Sequence, residues 1–268
     1  MARIEFHKMH GLGNDFVIID TRKTPVVISA SQIVALADRK SGIGCDQFIL
    51  LAPSDIADVR MRIFNSDGGE VESCGNATRC VVALLGKDVR IETDGGLIEG
   101  RFGEHAITLE MPPPRFEWQD IPLAFAMDTA AVPLAWDELA KPMAVNVGNP
   151  HAVFFVGNAH AIDLERLGPL IEHDAAFPDR VNVNVASFEH GAIRLRVWER
   201  GVGLTRACGT GACATAVAAI RQGKATSPVD VHQAGGTLTI DWQPGAPILM
   251  TGGATYVFKG KLDWTAFT

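Results

Sequence analysis

The 268-residue sequence contains no CxxC pair, no HExxH and no long run of like charges. Its five cysteines, at 45, 74, 80, 208 and 213, are odd in number, which argues against a disulfide framework and a thioredoxin-like redox motif. Close ligand pairs of the zinc type are also missing, so no metal is expected. No apolar run approaches the roughly 18 residues that a membrane-spanning helix needs. The opening stretch MARIEFHKMHGLGNDF scatters charges and offers no apolar core before a cleavage site, so a signal peptide is not expected and a cytoplasmic location is. The formal charge of −7 is spread over mixed acids and bases, without the basic patch that nucleic acid would require. The GLG at 11–13 lacks the third glycine and following helix of a dinucleotide loop.

What is present is a globular composition, 47% hydrophobic, in a chain long enough for two domains. Short β-rich runs dominate: FVIID, QFILL, VRMRIF, VRIET, ITLEM, HAVFFV, VNVNVA, IRLRVW, LTIDW and YVF, separated by Gly, Pro and Asp turns. Helical patterns are few: SASQIVALADR behind a serine cap, DLERLGPLIEH, and one apolar run after each of Cys74 and Cys208. These post-cysteine runs are the most apolar. Each is expected to be the central helix of an α+β half, wrapped by a curved, mostly antiparallel sheet. MPPPR at 111–115, the densest proline cluster, is the expected linker. The halves are then 1–115, joined by a C-terminal strand near 254–268, and 116–253.

The halves resemble one another. VESCGNATRCVVALLG (71–86) and RACGTGACATAVAAIRQG (206–223) each set cysteine, glycine and a small polar residue before an apolar helix. Placing Cys74 on Cys208 also pairs Arg62 with Arg196, Phe64 with Trp198, Gly69 with Gly203 and Gly75 with Gly209 without a gap. Gly13-Asn14 precedes Cys74 by nearly the interval at which Gly148-Asn149 precedes Cys208. Such a repeat implies two similar units related by an approximate twofold axis. A cysteine at a helix mouth sits at the positive end of the helix dipole beside unpaired N–H groups, and is expected to ionise more easily than a free thiol. Two such thiols suit a two-base racemase without a cofactor, in which one removes an α-proton and the other delivers a proton to the opposite face. The first-turn N–H groups of Gly75-Asn76 and Gly209-Thr210 suit the substrate carboxylate, into which the carbanion's charge passes.

Read together, KMHGLGNDFVIID (8–20), SGIGCDQ (41–47), FNSDGGEVESCGNATRC (64–80), GNPHAV (148–153), RVNVN (180–184) and VWERGVGLTRACGTGACA (197–214) closely resemble the diaminopimelate epimerase family, nearly end to end. Ala77 departs from the glycine that often follows CGN, a small change inside a helical turn. The resemblance implies interconversion of LL- and meso-2,6-diaminopimelate, on the route to lysine and peptidoglycan, by a homodimer. It implies Cys74 and Cys208 as the acid–base pair. Asn14, Gln47, Asn65, Asn149, Asn182, Glu199 and Arg200 match substrate-binding positions, and His151 is implied near the first cysteine, in a tuning role. Cys45, Cys80 and Cys213 read as packing residues.

The nearest alternative is another cofactor-independent racemase of the same fold, such as a proline racemase, where histidine tends to follow Cys-Gly; here that place is Asn76. A phenazine-biosynthesis-like isomerase shares the architecture without this cysteine pair. A thiol redox switch, an inactive amino-acid-binding protein and a pyridoxal phosphate racemase are further readings. The last would require a Schiff-base lysine and absorb near-ultraviolet or visible light.

Overall fold

The computed structural model describes residues 3–263 and Phe267. The described chain divides into two compact units, one running to Leu109 and resuming at Gly252, the other comprising Glu110–Thr251. The division thus falls within the strand Ile107–Met111, just before the 111–115 proline cluster.

The first unit holds strands β1 (Arg3–Gly11), β2 (Asn14–Asp20), β3 (Gln47–Ala52), β4 (Val59–Asn65), β5 (Glu70–Val71), β6 (Val89–Thr93), β7 (Gly96–Phe102) and β8 (Ile107–Met111), with helices α1 (Ala30–Ala37) and α2 (Gly75–Leu85). The second holds the short hairpin β9 (Ala135–Trp136) and β10 (Leu139–Ala140), then β11 (Met143–Asn146), β12 (Pro150–Phe155), helix α3 (Leu164–Glu172), β13 (Asn182–Glu189), β14 (Ala192–Glu199), β15 (Gly203–Thr205), helix α4 (Gly209–Arg221), β16 (Val229–Gln233), β17 (Gly236–Asp241) and β18 (Ile248–Gly252). Strand β19 (Thr255–Asp263) returns to the first unit and pairs antiparallel with β1.

The repeat recurs in the strand pairing. In the first unit β1 is antiparallel to β2, β2 parallel to β3, β3 antiparallel to β4, β4 antiparallel to β5 and parallel to β6, and β6 antiparallel to β7. The same succession runs from β11 to β17 in the second. Most pairs in each unit are antiparallel, as the sequence led us to expect.

Each sheet is covered on both faces. Phe48 and Leu50 of β3 join a cluster with Ile33 and Leu36 of α1, while the alternate residues Ile49 and Leu51 are equally buried. Period-2 geometry sends alternate side chains to opposite faces, so a doubly covered strand reads as the unbroken apolar run QFILLA. On the second sheet Leu164, Leu167 and Ile171 of α3 pack with Val183, Val185 and Phe154. Each such side chain contributes on the order of 1.5–3 kcal/mol of burial. Ser29 caps α1 in a reciprocal capping box with Gln32, and Asp163 caps α3.

The other two helices are the central ones. Strands β1, β6, β7 and β19 touch α2, and β11 to β14, β16 and β17 touch α4. Ala212, Ala214, Ala216, Ala218 and Ala219 of α4 are fully buried; small side chains allow that many strands to approach one helix. On the other unit Gly100 of β7 supplies the clearance, since a Cβ there would lie 2.3 Å from Val82 of α2. No helix among the described residues is long and apolar enough to cross a membrane. Strand β1 was missing from the sequence reading: its charges hid the buried Phe6, Met9 and Gly11.

Candidate active site

In each unit the chemistry-bearing side chains stand at the ends of neighbouring strands. Strand β2 begins with Asn14, β3 begins with Gln47 and β4 ends on Asn65, and the registers set Gln47 opposite Asn65 on one side and opposite Phe16, two residues beyond Asn14, on the other. In the second unit Asn149 directly precedes β12, β13 begins with Asn182 and β14 ends on Glu199. The carboxylate of Glu199 therefore takes the place that Asn65 occupies in the first repeat.

In the first unit Cys74 is the N-cap of α2, with extended backbone (φ −151°, ψ 107°), and its side chain makes no capping hydrogen bond. Its carbonyl accepts from both the amide and the hydroxyl of Thr78, each at 2.9 Å, which anchors the turn. The thiol instead faces Asn14, donating to Oδ1 at 3.9 Å. Gln47 and Asn65 are joined across the strands, Nε2 donating to Oδ1 at 2.9 Å. Asn76 turns its side chain inward, where its Oδ1 accepts from Nη2 of Arg79 at 2.7 Å. Arg79 is completely buried and also donates to the carbonyls of Gly253 and Gly75. The side-chain oxygen of the residue after Cys-Gly is thus taken up by a buried guanidinium.

In the second unit Cys208 caps α4 directly, its sulfur accepting from the Gly211 amide at 3.3 Å and lying 3.5 Å from the Thr210 hydroxyl. Its own amide is held by Oε1 of Gln233 at 2.7 Å. Glu199 accepts from the Thr205 hydroxyl at 2.6 Å and sits close enough to Cys208 for its charge to act on the thiol. Burial pushes the Cys208 thiol well above its ordinary value and the Glu199 charge adds to the rise, against the opposing bonds from Thr210 and Gly211. This corrects the helix-mouth expectation for Cys208: the dipole is worth about 0.3–2 kcal/mol, and desolvation of a buried thiolate exceeds it. Burial likewise raises the Glu199 carboxyl.

His151 belongs to this second unit and is fully buried. Asn184 spends its Nδ2 on the Gly211 carbonyl (2.9 Å) and the Thr215 hydroxyl (3.0 Å), so its Oδ1, 3.1 Å from His151 Nδ1, is the acceptor that fixes a proton on Nδ1. Burial lowers the imidazole to about 4, the Asn184 bond opposing and the Arg200 charge adding. Nε2 lies 2.9 Å from Asn149 Oδ1, which suits the protonated ring; with the ring neutral, a half-turn of the Asn149 amide places its NH2 there instead. Asn182 is engaged at both ends, donating to the Pro150 carbonyl at 2.8 Å and accepting the Arg200 amide at 3.0 Å. It braces the backbone of Arg200, whose Nη1 donates to the Asp179 carbonyl at 3.0 Å.

Among these residues the structure brings Asn14 to Cys74 and Gln47 to Asn65 in the first unit, and Asn149 to His151, Asn182 to Arg200 and Thr210 to Cys208 in the second. Arg79, Asn184 and Gln233 were missed by the sequence reading. An arginine within the apolar run after Cys74 was the one available signal; the two amides gave none.

The family model described as diaminopimelate epimerase matches residues 6–116 and 143–257. The diaminopimelate epimerase of Rhizorhabdus wittichii is 64% identical over 99% of this chain and 97% of its own, and that of Sphingopyxis alaskensis is 60% identical over 98% of each. Among solved structures, a hydroxyproline epimerase from Agrobacterium vitis superposes with a TM-score of 0.68 at 15% identity over 98% of this chain and 91% of its own. A phenazine biosynthesis protein from Enterococcus faecalis gives 0.71 at 13% over 98% and 100%. At such identities the likeness is one of fold alone. With a full-length sequence match and the repeated fold, this chain belongs to the diaminopimelate epimerase family.

Proposed function

We propose that this chain interconverts LL- and meso-2,6-diaminopimelate by a cofactor-independent two-base mechanism, serving lysine and peptidoglycan synthesis. The carrying observation is that Cys74 and Cys208 cap equivalent helices of two repeats with the same strand succession, in a chain 64% identical to a diaminopimelate epimerase. In the LL-to-meso direction the Cys74 thiolate takes the α-proton of one L centre, leaving a carbanion whose charge enters the α-carboxylate. First-turn amides of Gly75, Asn76, Gly209 and Thr210 receive that charge. The Cys208 thiol delivers its proton to the opposite face and becomes the thiolate. Burial and Glu199 favour the protonated form of Cys208, which suits an acid in this direction. Asn14, Gln47, Asn65, Asn149, Asn182, Glu199 and Arg200 recognise the remaining polar groups of the substrate, and the Arg200 guanidinium matches a distal carboxylate. His151 tunes the site through its hydrogen-bonded amides.

The enzyme works in the cytoplasm as a homodimer. Tyr256, Val257 and Phe258 of β19 stand in succession about half exposed, an apolar patch that a second copy would cover. Sedimentation of wild type and Tyr256→Glu compares the dimer with its disruption. Incubation of LL-diaminopimelate in deuterated water tests the activity: meso product labelled at one α-carbon is expected, and product without deuterium would sink the two-base mechanism.

A further inference from the structure

Four charged side chains that the mechanism does not use, Lys8, Asp15, Arg39 and Asp46, surround the backbone that carries Asn14 and Gln47. Asp15 follows Asn14 and Asp46 precedes Gln47, and the two carboxylates are bound reciprocally: Asp46 Oδ2 accepts the Asp15 amide at 3.0 Å, and Asp15 Oδ1 accepts the Asp46 amide at 3.1 Å. Arg39 bridges them, Nη2 lying 2.6 Å from Asp15 Oδ1 and 2.8 Å from Asp46 Oδ1. Lys8 ties Asp15 to the Gly44 carbonyl. Asp46 makes one further contact. Its Oδ2 accepts from Nδ2 of Asn14 at 3.3 Å.

That contact decides which end of Asn14 meets the cysteine. A carboxylate accepts and cannot donate, so Asn14 must turn its NH2 toward Asp46. Its carbonyl then faces Cys74, where the thiol donates to it at 3.9 Å. Turned the other way, the amide would present a donor to the sulfur and favour the thiolate. We propose that Asp46, locked by Arg39 and the Asp15 backbone, is a positioning residue that sets the amide orientation of Asn14 and through it the hydrogen bond made by the Cys74 thiol. This deepens the proposed role of Cys74 and rests on it only for its catalytic meaning.

Asp46→Asn separates this role from simple support. With its oxygen kept on the Arg39 cation, the new amide sets its NH2 where Oδ2 accepted from both the Asp15 amide and Asn14, so the Asp15 bond is given up and the Asn14 amide must reverse. A donor then faces Cys74. Iodoacetamide labelling of the full-length enzyme, mapped by peptide mass, should show Cys74 alkylated about five- to tenfold faster than wild type at neutral pH, with the midpoint of its pH–rate profile lowered. In an Asn14→Ala background Asp46→Asn should change that rate less than twofold. In wild-type protein, nuclear Overhauser contacts should place the Asn14 side-chain amide protons beside the Asp15 amide and not beside the Cys74 methylene, a measurement independent of whether any variant folds. A wild-type alkylation rate in folded Asp46→Asn, an equal effect without the Asn14 side chain, or the reverse Overhauser pattern would each overturn the proposal. Labelling does not depend on turnover, so loss of the catalytic role of Cys74 would appear separately, in the activity of Cys74→Ala.

Discussion

The Glu199 carboxylate lies close enough to the Cys208 thiol for its charge to raise it, and burial favours the protonated form of both groups. Replacing Glu199 with Gln removes the charge that raises the thiol. Cys208 should therefore ionise at lower pH, visible as a downward shift in the pH dependence of its alkylation. Turnover should fall by about 10²-fold or more, the scale of a lost acid–base partner. An unmoved alkylation profile would refute the electrostatic coupling.

The five thiols should divide sharply. Cys74→Ala and Cys208→Ala are each expected to reduce epimerisation to a trace while keeping the fold. Cys45, Cys80 and Cys213 are buried, and burial pushes Cys45 to about 11 and Cys80 to about 12, so neither supplies a thiolate near neutral pH. Alanine at those three positions should cost packing but leave most of the activity. Initial rates with LL-diaminopimelate and thermal melts distinguish the two groups.

His151 predicts the acid limit of stability. Its folded value of about 4 lies below the ordinary 6.5, so the unfolded chain binds its proton first as pH falls. The contribution is present above about 6.5 and is lost as pH drops to about 4, amounting to on the order of 3 kcal/mol. His151→Gln, which retains hydrogen-bonding capacity without titrating, should flatten that part of the profile. Urea unfolding midpoints at pH 7 and pH 4.5 provide the check, and parallel declines in both proteins would count against His151.

Gly168 of α3 packs against Trp198, and a Cβ there would lie 2.4 Å from the indole. The indole is also held by its N–H to Glu172 at 2.7 Å and immediately precedes Glu199. Gly168→Ala should destabilise the protein by about 1–3 kcal/mol, the usual cost of overpacking, and lower activity by moving Glu199. Unchanged melting and turnover would show that Trp198 yields freely.

The polar residues exceed what one α-amino acid head requires, which points to recognition of the distal end of the substrate. L-Lysine, which lacks the distal carboxylate, should be disfavoured by about 10⁴-fold in kcat/KM, and L-proline should not turn over. Arg200→Lys should also be costly, since an ammonium cannot reproduce the guanidinium fork. Comparable kcat/KM values for lysine and diaminopimelate would move the assignment to a broad-specificity racemase.

The features legible in the linear sequence are those set by local chemistry. Ser29 announces its helix through a cap; the apolar periodicity behind Cys74 and Cys208 marks two more; the duplicated Cys-Gly motif shows the repeat and places both thiols at helix mouths. Strand β1 escaped because its buried residues alternate imperfectly with charges that β19 and β2 accommodate. Tertiary structure alone decided the ionisation of Cys208. Helix position argues for an acidic thiol, but burial and the approach of Glu199 from another strand reverse the sign. It also decided that Gln233 holds the Cys208 amide, that Arg79 lies buried behind Asn76, and that Asp46 orients Asn14. Hydrogen-bond partners and desolvation depend on residues brought together from distant parts of the chain, whereas caps and periodicity are written within a few residues of where they act.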